Sequence, residues 1–297
     1  ILTGIRPVKI MRSLTRESSL EYAKDYFINK LLVSQEKTEL SIKTMQAENQ
    51  ILDLSTEKSF SLYVSIPFCP TRCSYCSFVS QSIEKAIRLI PQYVDLLCLE
   101  LIQTAQIARE LSLKLETVYI GGGTPTTLNS EQLEKIIGTI NSNFDMTTCR
   151  EFTVEAGRPD TITKEKLVAI KNGGVSRISI NPQTLNDDVL KVIGRQHTAN
   201  QTIECYEMAR LLGFKNINMD LIAGLPCDGY ESFVNTLKKI LKLNPENITI
   251  HSLALKRAAN INIESKNHNV NENNLASKMV GFAEQELLKN GYIPYYL

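Results

Sequence analysis

Three of the seven cysteines fall within eight residues, as Cys69-Pro-Thr-Arg-Cys73-Ser-Tyr-Cys76, and this spacing suits a metal-containing group. The other four are isolated, at positions 98, 149, 205 and 227. Zinc is the weaker interpretation, because no second close pair supplies a fourth ligand. Three thiolates on one loop can hold three irons of a four-iron cluster and leave the fourth iron open to a ligand. The alternative is three small residues packed on a loop by chance. The pattern favours a [4Fe-4S] cluster.

Composition indicates a globular protein and argues against a membrane-spanning, exported or strongly basic one. The chain has 297 residues, of which 43% are hydrophobic and 22% charged, as in globular proteins. Its formal net charge of +1 provides no global field for nucleic acid or an anionic membrane. No apolar run reaches the length of a membrane span. The cysteines do not form the distributed, even set of an exported disulfide framework, so we expect a reducing, cytoplasmic compartment. The start at Ile1 and the strand-like end at 291–297 predict a piece of a longer protein.

The hydrophobic pattern predicts an α/β fold that positions these groups. Helical periodicity between Arg16 and Leu54 predicts an N-terminal helical preface, with one region at 1–58 and a second at 59–297. The second region alternates strands and helices. The predicted strands are Ser61–Ile66, Thr117–Ile120, Glu151–Glu155, Arg177–Ile180, Asn216–Asp220 and Asn247–His251. The predicted helices lie near 87–111, 130–143, 164–172, 187–193, 199–212, 230–243 and 274–290.

Six strand and helix pairs in succession indicate parallel strands joined by crossover helices. An open doubly wound sheet and a partial TIM-type barrel both place chemistry at the carboxyl ends of strands. The chemically distinctive residues fall at or just after the six strands; in chain order they are Cys69, Gly121–Pro125, Glu155, Gln183, Asp220 and Ala254. Six contributing strand ends favour a partial barrel, because an open sheet uses few loops at its single switch point.

Several runs together resemble a known family. Cys-x3-Cys-x2-Cys, with Tyr75 before the last cysteine, resembles the radical S-adenosylmethionine (SAM) superfamily. Tyr63-Val-Ser-Ile-Pro-Phe-Cys69 is similar to the oxygen-independent coproporphyrinogen III oxidase family within it. The runs 2–7, 155–160 and 251–257 resemble its coproporphyrinogen dehydrogenase branch. The resemblance covers nearly the whole chain, and it implies a [4Fe-4S] cluster held by the three cysteines.

The resemblance also implies residues that bind SAM, with one or two molecules in the site. The glycine-rich run 121–125 resembles the loop that receives the amino group of SAM, since glycine allows close backbone approach. Contacts to SAM are implied for Tyr63, Gly122, Gly123, Thr124, Glu155 and Ala254, and Tyr75 would lie against the adenine or a second cosubstrate. Gln183, Arg195 and Asp220 match a second SAM site. Alternatively, Arg195 is a surface cation, Asp220 a helix N-cap and Gln183 a turn residue. No residue is singled out as catalytic.

Other polar residues have two interpretations. His197 and His251 are candidate proton donors, or hydrogen-bonded core residues. Three cations could bind tetrapyrrole propionates or be solvated surface charge; these are Arg158, Lys256 and Arg257. Phe78 departs from the best-studied branch of the family, which carries a further cysteine at that position. This departure weakens the transfer of the decarboxylating activity more than that of cluster binding.

The implied function is oxidative decarboxylation of coproporphyrinogen III to protoporphyrinogen IX without oxygen. One electron from a donor such as flavodoxin or ferredoxin would cleave SAM, and the resulting 5′-deoxyadenosyl radical would attack a propionate side chain. Two alternatives remain for the tetrapyrrole partner. The protein could be a heme-binding trafficking chaperone on the same fold, or a radical SAM enzyme that acts on heme.

Overall fold

The structure is a computed structural model that describes residues 6–78, 80–253 and 270–296. Its contacts divide it into a unit of Ile1–Glu57 with Glu284–Leu297 and a unit of Lys58–Ala283. Helices α1 (Pro7–Glu17), α2 (Leu20–Asp25) and α3 (Gln35–Leu52) belong to the first unit. The side chains of Ser19 and Ser34 cap the first turns of α2 and α3. A π-helical turn, Tyr26–Lys30, follows α2. The core of these segments is formed by Val8, Met11, Ala23, Phe27 and Met45.

The second unit carries eight strands. They are β1 (Ser59–Ile66), β2 (Phe68–Cys69), β3 (Gln81–Ser82), β4 (Lys114–Gly122), β5 (Glu151–Glu155), β6 (Arg177–Ser179), β7 (Asn216–Ala223) and β8 (Asn247–Ser252). The helices that follow α3 in the chain are α4 (Ile83–Ala86), α5 (Ile90–Glu110), α6 (Ser130–Asn143), α7 (Lys164–Asn172), α8 (Asp187–Val192), α9 (Ala199–Leu211), α10 (Tyr230–Leu243) and α11 (Val270–Lys289). In the described ranges, no helix combines the length and hydropathy needed to cross a bilayer.

Six of the strands form one parallel sheet in the order β1-β4-β5-β6-β7-β8. Each strand therefore pairs with the next sheet strand along the chain, and the order never reverses. If the crossovers have the usual right hand, this order puts the helices that connect the sheet strands on one face, as in a barrel and not in a doubly wound sheet. The α/β prediction with six parallel strands is confirmed.

The predicted strand bounds differ from the structure by one to three residues at one or both ends of several strands, and two differences matter for the site. Strand β7 continues to Ala223, so Asp220 is a half-buried mid-strand residue rather than the last residue of a strand or a helix cap. The short strands β2 and β3 were not predicted, because two-residue segments carry no periodicity. They pair in parallel with each other and join the two ends of the loop that carries the cysteines.

Candidate active site

The loop between β2 and β3 carries Cys73 and Cys76, and Cys69 ends β2. Its contacts reach the turn after α8. The Ser74 amide donates to the Ile193 carbonyl at 3.1 Å, and the Thr71 hydroxyl donates to the Gly194 carbonyl at 3.0 Å. Gly194 has a φ of 77°, which favours glycine at this turn. The loop is therefore held by a segment more than a hundred residues further along the chain.

The three thiols line one cavity with a volume of about 700 Å³. The Thr124 hydroxyl donates to Cys69 Sγ at 3.6 Å, and Arg158 Nη1 donates to Cys73 Sγ at the same distance. Burial raises the pKa of Cys76, and the neighbouring thiols add to this effect. No three His, Cys, Asp or Glu side chains in the described ranges are grouped to hold a single metal ion. A four-iron cluster binds each thiolate through a different iron, and three thiols of one loop around a cavity fit that requirement.

Every residue that the sequence analysis assigned to the cluster or to SAM lines this cavity, except Ala254, which lies outside the described residues. The shared lining residues are Cys69, Cys73, Cys76, Tyr63, Tyr75, Gly122, Gly123, Thr124, Glu155, Gln183, Arg195 and Asp220. The isolated cysteines at 98, 149, 205 and 227 do not line it. The ends of successive strands thus bring residues far apart in the chain to one wall.

Strand β4 continues to Gly122, beyond its predicted end, and the glycines at its end have a structural requirement that the sequence analysis did not give. Gly122 has a φ of 108°, and a Cβ there would lie 2.7 Å from Ser65 Oγ and 3.0 Å from the Ile66 amide nitrogen. A Cβ on Gly123 would lie 2.7 Å from the Phe68 carbonyl oxygen and 3.0 Å from Cys69 Sγ. The glycines therefore let β4 pack closely against the end of β1 and the first cysteine, in addition to any approach to a ligand.

Two tyrosines and a carboxyl group form another wall. The rings of Tyr63 and Tyr119 stack, with centroids 5.9 Å apart and planes inclined by 10°. Burial, and then the charge of Asp220, raise the pKa of Glu155 to about 7, while Arg195 and the Tyr119 hydroxyl oppose this rise. Glu155 therefore exchanges a proton near neutral pH, which an exposed glutamate does not.

A chain of polar side chains crosses the interior of the sheet next to Glu155. Asn181 Nδ2 donates to Glu155 Oε1 at 3.4 Å, and Ser179 Oγ donates to Asn181 Oδ1 at 2.6 Å. Asn218 Nδ2 donates to Ser179 Oγ and to Asp220 Oδ1, at 2.7 Å each. These bonds fix the two carboxyl groups relative to each other.

His251 and Asp220 form a pair at the end of this chain. His251 Nε2 lies 3.8 Å from Asp220 Oδ2. Burial favours a raised pKa for Asp220, but hydrogen bonding to His251 and Asn218 gives a net lowering. Hydrogen bonding to Asp220 in turn raises the pKa of His251. Of the two candidate histidines only His251 lines the cavity, since His197 is buried elsewhere with Nδ1 3.7 Å from Asp160 Oδ1.

Arg195 is buried, so the surface-cation interpretation of this residue is wrong. Its Nη1 donates to the carbonyls of Gly157 and Asn181 at 2.7 and 3.1 Å, and its Nη2 donates to the Tyr75 hydroxyl at 3.2 Å. Arg195 Nε and the Oε1 of Gln183 are buried without a hydrogen-bond partner. Unpaired buried polar atoms are costly, so two of them on one cavity wall fit a polar ligand such as SAM.

Several site residues were not found from the sequence. Tyr119, Asn181 and Ser252 line the cavity, and Ser179 and Asn218 support it. The sequence feature that could have identified Ser179 and Asn218 is a polar side chain inside an otherwise apolar strand. Arg158 is 3% exposed, so its interpretation as surface charge is wrong. Lys256 and Arg257 lie outside the described residues.

Comparisons with known proteins agree with this geometry. Residues 63–240 match the radical SAM superfamily. The chain is 38% identical over 306 residues to the oxygen-independent coproporphyrinogen-III oxidase-like protein HemZ of Bacillus subtilis, covering 100% of this chain and 60% of that protein. It is also 38% identical over 197 residues to the heme chaperone HemW of the same organism, covering 66% of this chain and 51% of that protein.

A solved structure gives the same result. Coproporphyrinogen III oxidase HemN from Escherichia coli, described as a radical SAM enzyme, superposes with a TM-score of 0.68 at 27% identity. The match covers 83% of this chain and 56% of that one. The resemblance to the coproporphyrinogen oxidase family is thus confirmed. The chain spans between 51% and 60% of the length of these relatives.

Proposed function

Because the chain belongs to the radical SAM superfamily, whose members use a [4Fe-4S] cluster and SAM, we propose that Cys69, Cys73 and Cys76 hold the cluster. The support is their position around one cavity, with hydrogen-bond donors on two of the three sulfurs. The cluster and SAM together would supply a 5′-deoxyadenosyl radical that removes a hydrogen atom from the substrate.

The side chains of the cavity can bind SAM by complementary charge. Glu155 and Asp220 can accept hydrogen bonds from the amino group and ribose hydroxyls, and the cation of Arg195 favours a carboxylate nearby. The stacked rings of Tyr63 and Tyr119 provide an apolar surface for part of the ligand. Gln183 Oε1 and Arg195 Nε would gain the partners that they lack.

For the whole protein we propose oxidative decarboxylation of coproporphyrinogen III to protoporphyrinogen IX, in which two propionate side chains each lose carbon dioxide and become vinyl groups. The observation that carries this proposal is the cavity that gathers the cysteines and both sets of proposed SAM residues. Similarity along the whole of this chain to an oxidase-like relative, of which it covers 60%, supports the tetrapyrrole as substrate. We place the reaction in the cytoplasm, because the seven cysteines form no disulfide. A low-potential donor such as flavodoxin or ferredoxin would supply the electron that the cluster passes to SAM.

A second candidate is transport of heme. It is favoured by the similarity to a heme chaperone and by Phe78, which lines the cavity and is 63% exposed. An exposed aromatic ring beside the cysteines suits contact with a flat, apolar macrocycle. This role would use the same cavity without turnover of the tetrapyrrole.

The test is anaerobic incubation of the reconstituted full-length protein with coproporphyrinogen III, SAM and a low-potential reductant. We expect the product mass to fall in two steps, each by one carbon dioxide and two hydrogen atoms, because each propionate becomes a vinyl group. Cys76→Ala should abolish turnover and reduce bound iron and sulfide by most of the parent content. Cys98→Ala, in α5 and away from the cavity, should keep both.

An unchanged substrate mass together with tight binding in a heme titration would reject the oxidase in favour of the chaperone. A changed heme mass with consumption of SAM would favour an enzyme that acts on heme. Full iron content in Cys76→Ala would reject the cluster assignment itself.

A further inference from the structure

Arg158 is a buried charged residue, and most of its contacts play no part in the proposed function. It follows β5 by three residues and is 3% exposed. Its guanidinium has five N–H groups, and the structure gives it five hydrogen bonds. Such complete pairing of a buried cation is unusual for a residue that would bind substrate, because no donor remains for a ligand.

Two of the five bonds go to one carboxylate. Arg158 Nε and Nη2 donate to Asp160 Oδ1 and Oδ2, at 3.1 Å each, in a bidentate pair. Burial alone would raise the pKa of Asp160, but its interactions with His197 and Arg158 hold this pKa well below the usual range. Burial lowers the pKa of the neighbouring His197. The Asp160 carboxyl group is therefore ionised next to the Arg158 guanidinium, and the buried imidazole of His197 favours its neutral form.

The other three bonds go to the cysteine loop. Arg158 Nη1 donates to the Thr71 carbonyl at 3.2 Å, and Nη2 donates to the Thr71 hydroxyl at 3.0 Å. Nη1 also donates to Cys73 Sγ at 3.6 Å. Thr71 in turn donates to the Gly194 carbonyl. One cation thus connects the end of β5 to the loop backbone and to one sulfur.

We propose that Arg158 is a positioning residue that orients Cys73 for the cluster and, by donating a hydrogen bond to this sulfur, makes the cluster easier to reduce. This inference rests on the proposed assignment of the cluster to the three cysteines. An electron from an external low-potential reductant adds one negative charge beside the guanidinium. A hydrogen bond to a ligand sulfur and a nearby positive charge both stabilise the more negative, reduced state.

The charge of Asp160 provides a test by sign. Arg158→Met removes the donors and the positive charge and should lower the midpoint potential of the cluster. Asp160→Asn keeps the guanidinium but removes the compensating negative charge, so it should raise the potential. A purely structural role would not move the potential in opposite directions in these two variants.

The measurement is an anaerobic redox titration of the reconstituted full-length protein, followed by electron paramagnetic resonance of the reduced cluster. Arg158→Met should also lose iron to a chelator severalfold faster than the parent, because Thr71 and Cys73 lose their support. Arg150→Met is the control, since Arg150 pairs with Glu116 at 2.6 Å, at the opposite end of β4 and β5. It should leave the potential and the rate of iron loss unchanged.

Equal potentials in the parent, Arg158→Met and Asp160→Asn would overturn the proposal, as would a shift of the same sign in both variants. If Arg158→Met binds no iron, Arg158→Lys and Asp160→Asn give the sign of the change in midpoint potential. Lysine keeps the positive charge but lacks the planar guanidinium and its hydrogen bonds. The proposal is supported if the midpoint potential of the cluster falls in Arg158→Lys, which loses the hydrogen bonds but keeps the charge, and rises in Asp160→Asn. Iron retained in full by Cys76→Ala would instead reject the cluster assignment on which the inference depends.

Discussion

At the scale of single residues, burial gives Glu155 a pKa that is much higher than that of an exposed glutamate. Its carboxyl group faces Asp220, Arg195, Tyr119 and His251, and its pKa rises to about 7. When the pKa of an acid is higher in the folded than in the unfolded protein, its contribution to stability is fully present at pH values below the pKa of the unfolded protein. That contribution disappears as the pH rises through the folded pKa. The raised pKa of His251 acts in the same direction.

We therefore expect Glu155 and His251 to make the protein without SAM lose stability as the pH rises from 5 to 8, while the lowered pKa of His197 opposes this loss in the lower part of the range. Glu155→Gln should remove much of this slope, on the order of 2 kcal/mol. Urea unfolding at several pH values measures the effect. Glu207→Gln, an exposed change on α9, serves as the control and should keep the slope of the parent. An unchanged slope in Glu155→Gln would contradict the assignment of the shifted pKa.

At the scale of elements, the end of β4 depends on a backbone that only glycine adopts easily. Gly122→Ala would introduce strain at a φ of 108° and a contact of 2.7 Å with Ser65 Oγ. We expect a loss of about 1–3 kcal/mol in the free energy of unfolding. Gly138→Ala is the matched control, because Gly138 lies within α6 and a Cβ there meets nothing within 4 Å. It should stabilise the protein by about 0.5–1 kcal/mol, since alanine is the better helix former. Equal effects of the two changes in chemical denaturation would show that the turn tolerates a side chain.

The sequence predicted most of this scaffold and part of the site. The six sheet strands and the cysteine spacing were readable because their signals are local: apolar runs between turns, and three thiols in one loop. The surroundings of Arg158 were not readable, since they require Thr71 and Cys73, more than eighty positions earlier, to lie against the end of β5. The same limit applies to Asn218, whose partners Ser179 and Thr249 lie on neighbouring strands.

At the scale of the whole molecule, the cysteine loop is stabilised mainly by distant segments. Thr71 bonds to Gly194, 123 positions away, and Cys73 bonds to Arg158, 85 positions away. We therefore expect the cluster absorbance and the far-ultraviolet circular dichroism to change in one transition when the reconstituted protein is titrated with denaturant under anaerobic conditions. Loss of the cluster at a clearly lower denaturant concentration would mean that the loop opens independently of the sheet.

The dependence of this loop on the turn after α8 also sets an order of events for a newly made chain. All three cysteines leave the ribosome before the segments that shape their loop, because Arg158 and Gly194 come later in the sequence. Contacts of such long sequence separation form late, as the sheet closes strand by strand. Until then the segment that carries the three cysteines lacks its folded conformation, and its thiols are exposed to oxidation. Delivery of iron and sulfide is consequently a step that follows folding, and its acceptor is a nearly finished apoprotein rather than a nascent peptide.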